Sequence, residues 1–187
     1  PICEDRMAKL NVRSIRLTRV TIPLTLVHAG SMYVISKAER TVIELTLENG
    51  VVGLGDTWGT PETLSLLQAF AKTWIGKDVL DRVALKNATL GKSNYDNKMG
   101  RNGRAAFAGL DLAAWDAVGK STNLSLAELV GARTKESVEV VSTLPAAILE
   151  RAVSRQELTA HMDNLASTTK VVAFAQEQAR KFGFRNF

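Results

Sequence analysis

The sequence predicts an α+β fold: a three-stranded antiparallel sheet backed by helices over residues 12–133, then the opening βα portion of an incomplete (β/α) barrel over 134–187. Three observations carry this expectation. Thr41 to Glu48 alternates apolar and polar side chains and runs into Asn49-Gly50, the strongest short hairpin signal. Helical segments with defined starts follow, one of them crowded with alanine and glycine. Beyond Arg133 the texture changes to a β-branched run, a connection and a helix, the order in which a barrel of alternating strands and helices begins.

Residues Pro1 to Asn11 carry mixed charge without a period and read as a loose arm. Ser14 to Ile22 is rich in β-branched residues and reads as a first strand ended by Pro23. Leu24 to Lys37, with Gly30 and His28, reads as a loop. In the second strand Ile43, Leu45 and Leu47 face one side, and Val51 to Gly55 returns after the turn. Gly53, Gly55 and Gly59 do not have the spacing of a dinucleotide-binding loop, and no βαβ unit surrounds them, so a tight hairpin exit is expected.

Thr60-Pro61-Glu62 supplies an N-cap, a first-turn proline and an acid at the positive end of a helix. That helix is expected to show Leu64, Leu67, Ala71 and Trp74 on one face and to end at Gly76. A further helix is expected over Asp78 to Ala88, and a polar, glycine-punctuated loop from Leu90 to Gly103. From Ala106 the small residues Ala106, Ala108, Gly109, Ala113, Ala114 and Ala117 predict a helix that lets a neighbouring backbone come close, with Gly119 as its stop. Asp116 precedes Lys120 in the favourable i,i+4 order, and Ser125 with Glu128 predicts a capping box on a short helix closed by Gly131. In the last third, Ser137 to Ser142 reads as a strand ended at Pro145, Ala146 to Leu158 as mostly helical, and Thr169 to Phe182 as a helix stopped by Gly183.

Composition narrows the function classes. Hydrophobic residues make up 45% of 187, ample for a core, yet no apolar run approaches the ~20 residues of a membrane span. No signal-peptide pattern is present and Cys3 is the single cysteine, so a soluble, cytoplasmic protein is expected. The net charge of +5 invites a nucleic-acid reading, but Arg13, Arg16, Arg19, Lys98, Arg101 and Arg104 make no aromatic-studded stripe and read as solvated faces.

The stretch AFAGLDLAAWDAVGKSTNLSLAELVG, residues 106–131, resembles the signature of the mandelate racemase and muconate-lactonizing group of the enolase superfamily. The resemblance implies an enolase-like N-terminal capping domain followed by a TIM-like barrel. Within that group, the closing phrase Lys181 to Phe187 resembles one that precedes a Lys-x-Lys motif in glucarate-dehydratase-type acid-sugar dehydratases. The complete protein is therefore expected to be a lyase that removes the proton α to a carboxylate and expels water from the β position. A racemase, a cycloisomerase or a non-catalytic capping and assembly module are the alternatives. Mg²⁺ is expected in the missing barrel, with no catalytic or metal-ligating residue in this chain, which alone is expected to be inactive.

What this chain is expected to contribute is specificity. By resemblance the segment Leu24 to Lys37 is a lid over the substrate, which makes His28, Met32 and Tyr33 candidate contacts, joined by Thr143 at the end of the first barrel strand. The family usually carries a glutamate after the Gly-x-Gly turn; Asp56 stands there with one methylene less. Asp111 and Asp116 are five apart and face different ways on a helix, and His28 and His161 have no ligand spacing, so neither pair predicts a metal site. Trp115 and Trp58 are expected to pack in the core. The expected partners are a small acid-sugar or other carboxylate substrate, the remainder of the barrel and further copies in a homo-oligomer, with no nucleic acid and no membrane.

Overall fold

The computed structural model describes residues 10–30, 33–91, 100–131, 135–141, 147–149 and 168–185. The chain divides into two compact units, Pro1–Val20 with Glu39–Arg133, and Thr21–Ala38 with Thr134–Phe187.

Strands β1 (Val12–Gly30), β2 (Tyr33–Leu47) and β3 (Val52–Trp58) lie side by side with β2 in the middle; β3, the start of β1 and the end of β2 belong to the first unit. β2 and β3 pair antiparallel from Arg40↔Trp58 to Thr46↔Val52, closed by the Asn49-Gly50 turn, where Gly50 sits at φ 84°. The alternation is realised as expected, since Thr41, Ile43, Leu45 and Leu47 are all fully buried. Helices α1 (Pro61–Trp74), α2 (Arg82–Leu90), α3 (Gly100–Thr122) and α4 (Leu126–Leu129) follow. Their starts are fixed by side chains where these are described: Thr60 accepts from Thr63 N–H, Asp81 from Ala84 N–H, and Ser125 with Glu128 closes the capping box in both directions. The Ser125 hydroxyl and backbone N–H, bonding the ionised form, hold the Glu128 carboxyl below its ordinary pKa.

The core lies between this sheet and α3. Gly53 and Gly55 of β3 meet the backbone of Ala113 and Gly109, and a Cβ on Gly53 would stand 2.7 Å from the Ala117 Cβ. Gly109 in turn faces the side chains of Ile43 and Thr57. The small residues of α3 therefore do what their pattern predicts, bringing helix and strand backbones into contact. Val12, Leu67, Trp74, Val79 and Leu110 fill the remainder. After α1 the chain turns at Gly76 and runs beside the start of β1, with Val12 N–H on Lys77 O at 2.9 Å and Val79 N–H on Leu10 O at 3.1 Å.

Several expectations are corrected. Pro23 does not end β1, and Leu24 to Lys37 is not a loop where it is described, because β1 and β2 continue through it. β4 (Ala147–Leu149) reaches only Val27 to Ala29, so at Pro23 that side of β1 has no strand neighbour among the described residues and a missing N–H is tolerated. The buried face of α1 is Thr63, Leu67, Phe70 and Trp74, rotated from the expected one; Thr63 is accommodated because its hydroxyl bonds Thr60 and Asn102. α2 starts at Arg82 rather than Asp78, and α3 already at Gly100, inside the expected loop. α3 runs past Gly119 to Thr122; it ends where Asn123 takes φ 54° and Leu124 N–H bonds back to Gly119 O at 3.0 Å.

In the second unit, β4 pairs antiparallel with the end of β1, Val27↔Leu149, His28↔Ile148 and Ala29↔Ala147. It occupies a place where the sequence predicts helix. Conversely, residues 137–140 form no strand, and Val141 makes only a single β-bridge. Val138, Val140 and Val141 are all exposed, at 60% or more. A parallel strand is stable when neighbours cover both its faces, and nothing described here covers these valines. The expected C-terminal helix is present as α5 (Thr168–Phe182), ended by Gly183 at φ 73°. No described helix is long and apolar enough to cross a membrane.

Candidate functional site

Two regions hold the candidate residues. The first is the β1–β2 ribbon. His28 lies in the last turn of residues of β1, opposite Ile148 of β4, and Tyr33 opens β2. Both stand on extended, paired backbone rather than on the loop that was expected. Met32 and Thr143 lie outside the described residues, and of the four only the backbone positions of His28 and Tyr33 are described, near the end of the ribbon.

The second region is an open groove of about 870 Å³ between β3, the C-terminal half of α3 and α4. Leu54, Leu112, Leu124 and Leu126 give it apolar walls, and all four are substantially exposed. Trp115 forms part of its floor. The core expected of this residue is thus corrected: Trp115 is half-buried, with the Arg82 guanidinium 4.1 Å above its ring. Trp58 is likewise half-buried, under Arg101 at 4.3 Å. Such stacking holds each arginine against an apolar surface and contributes about 0.5–2 kcal/mol. A helical reading shows why the groove was missed. Leu112, Trp115, Asp116 and Gly119 form a second face of α3, offset from Ala106, Leu110, Ala113 and Ala117, and the small-residue face masks it.

Three carboxylates of the first unit, Asp56, Asp111 and Asp116, are committed to partners. Asp56 accepts from Arg40 Nε at 2.8 Å and from a second nitrogen of the same guanidinium. Asp111 is ion-paired with Arg82. Asp116 accepts Leu54 N–H at 2.7 Å and Lys120 Nζ at 2.6 Å. Divalent ions need several convergent oxygens, and each of these carboxylates instead faces its own cation, so they do not fit a Mg²⁺ site. Among the described residues there is no group of three His, Cys, Asp or Glu able to hold a metal ion. Chemically, the groove combines apolar walls with the Asp116–Lys120 ion pair in its lining.

Residues 12–131 match the family model described as mandelate racemase / muconate lactonizing enzyme, N-terminal domain. Among curated relatives, muconate cycloisomerase 1 of Rhodococcus opacus is 26% identical over 96% of this chain and 52% of its own length. The probable glucarate dehydratase of Streptomyces coelicolor is 24% identical over 79% of this chain and 38% of its own. The chain thus spans about half or less of the length of these relatives. Among solved structures, an enolase from Streptomyces coelicolor described as a putative sugar isomerase superposes with a TM-score of 0.73 at 22% identity, covering 94% of this chain and 43% of that one. An enolase from Thermobispora bispora, complexed with magnesium and formate, superposes with a TM-score of 0.64 at 22% identity over 73% of this chain and 35% of that one.

Proposed function

The chain belongs to the mandelate racemase / muconate lactonizing enzyme family through its N-terminal domain, and from that premise we propose that the complete protein is a Mg²⁺-dependent acid-sugar dehydratase. In this reading the protein removes the proton α to a sugar-acid carboxylate and eliminates the β-hydroxyl as water. The base and the groups that would hold the ion lie, in this reading, elsewhere in the complete protein, where the ion would supply stabilisation of the charge developing on the carboxylate. The present residues close the substrate in from one side. His28 and Tyr33 on the ribbon, with Thr143, select among acid sugars by hydrogen bonding their hydroxyls, a kind of contact that discriminates strongly when a partner is missing, and Met32 adds an apolar contact.

The observation that supports the dehydratase reading most is the closing phrase Lys181 to Phe187, together with the likeness to the glucarate dehydratase relative. A cycloisomerase is the second reading, favoured by the muconate cycloisomerase relative, whose match extends over almost the whole chain. A panel of mono- and diacid sugars and of muconates, offered to the complete protein with Mg²⁺ and with chelator, separates the two. The expected result is formation of a 2-keto acid from at least one acid sugar, lost on chelation. Turnover of muconates with no acid sugar consumed would replace the dehydratase by the cycloisomerase.

A further inference from the structure

β3 is the terminal strand of the sheet, so one row of its backbone groups faces away from β2. The register says which. Leu47 N–H bonds Val51 O at the turn, and the pattern alternates from there, so Glu44↔Leu54 and Thr46↔Val52 are the pairs whose N–H and C=O groups point outward. Two of these groups on β3 are taken by side chains of α3. Leu54 N–H donates to Asp116 Oδ2 at 2.7 Å, and Lys120 Nζ donates to Val52 O at 3.0 Å. The two side chains bond each other at 2.6 Å.

A residue of a neighbouring parallel strand, set opposite Gly53, would make the same pair of bonds. Its N–H would go to Val52 O, and its C=O would accept from Leu54 N–H. We propose that Asp116 and Lys120 act as an edge lock, standing in for one residue of a missing strand and thereby keeping β3 from pairing with β3 of a second copy of this chain. A second copy is the occupant because β3 is self-complementary in an antiparallel, two-fold arrangement, and because Val52 and Leu54, which flank the lock, are exposed at 37% and 52%. The lock is half-open to solvent, with Lys120 and Asp116 at 46% and 37% exposure, so salt screens it.

The test uses the full chain with Asp116→Ala and Lys120→Met combined. Sedimentation is expected to show self-association tightened about tenfold or more over the parent, and amide exchange is expected to show Leu54 N–H exchanging about tenfold faster or more in Asp116→Ala. Adding Val52→Lys beside the lock is expected to reverse the association, whereas Val83→Lys, on an exposed position of α2, is expected to leave it. Where the double variant does not fold, Lys120→Met alone is read the same way by sedimentation. Unchanged association, suppression by Val83→Lys as complete as by Val52→Lys, or parental exchange at Leu54 in Asp116→Ala would each overturn the proposal.

Discussion

Gly53→Val is expected to cost the first unit about 3 kcal/mol or more, read as a fall in the denaturation midpoint of the full chain. The reason is geometric. A Cβ at Gly53 would enter the van der Waals shell of the Ala113 carbonyl oxygen and stand 2.7 Å from both N and Cβ of Ala117. These are backbone and near-backbone atoms of a long helix, so no rotamer change relieves them. β3 or α3 must shift as a body, and a shift would break the Asp116 and Lys120 bonds to the strand edge. Gly109→Ala is expected to cost less, because its Cβ would meet side-chain atoms, Cδ1 of Ile43 at 2.7 Å and Cβ of Thr57 at 2.9 Å, rather than helix backbone. A Gly53→Val midpoint within error of the parent would mean that helix and strand are not held at this separation.

Trp74→Ala is expected to cost about 3–5 kcal/mol, the range for emptying a fully buried aromatic site, while Trp74→Phe costs well under half of that. Trp74 is completely buried at the end of α1, with the Phe107 ring edge-on at 6.1 Å. Its indole Nε1 is buried without a hydrogen-bond partner among the described residues. Replacing it by phenylalanine removes that unpaired donor along with part of the ring, and the gain offsets some of the lost packing. Chemical denaturation of the two variants side by side reads the difference. Equal losses would show that the indole nitrogen has a partner or that the site does not collapse around the smaller ring.

The parts of the fold that sequence made legible are those governed by neighbours in the chain. The β2 alternation, the Asn49-Gly50 turn, the Thr60 cap and the Ser125–Glu128 box are local chemistry, and each is found where its residues predict it. The small residues of α3 announced a close approach without naming its partner, which is β3 through Gly53 and Gly55. What stayed hidden depends on distant pairing. Thr25 and Val27 had strand character, but only the pairing of Val27 to Ala29 with β4 shows that the ribbon continues past Pro23. Val138 to Val141 had it too, yet residues 137–140 form no strand and Val141 makes only a single bridge.

The candidate site was legible to the same degree. Asp111 and Asp116 were separable from a metal role by helical angle alone, whereas their partners Arg82 and the Leu54 amide lie 29 and 62 residues away and could not be read. Trp115, on an alanine-rich helix, is expected from sequence to pack in the core. Its place in the groove follows from Leu112 and Gly119 sharing its face, a pattern present in the sequence but weaker than the alanine stripe.

The proposed function rests on a division of labour in which residues of this chain choose the substrate and a group elsewhere in the complete protein takes the proton. Exchange of the substrate α-proton in D₂O, followed in the complete protein with Mg²⁺ for His28→Ala and Tyr33→Phe, tests it most directly. The account predicts exchange rates at saturation within about tenfold of the parent, and a shift of about tenfold or more in kcat/KM between competing acid sugars. Loss of exchange by about 10⁴ for every substrate, the effect of removing a general base, would contradict it, as would an unchanged preference among substrates.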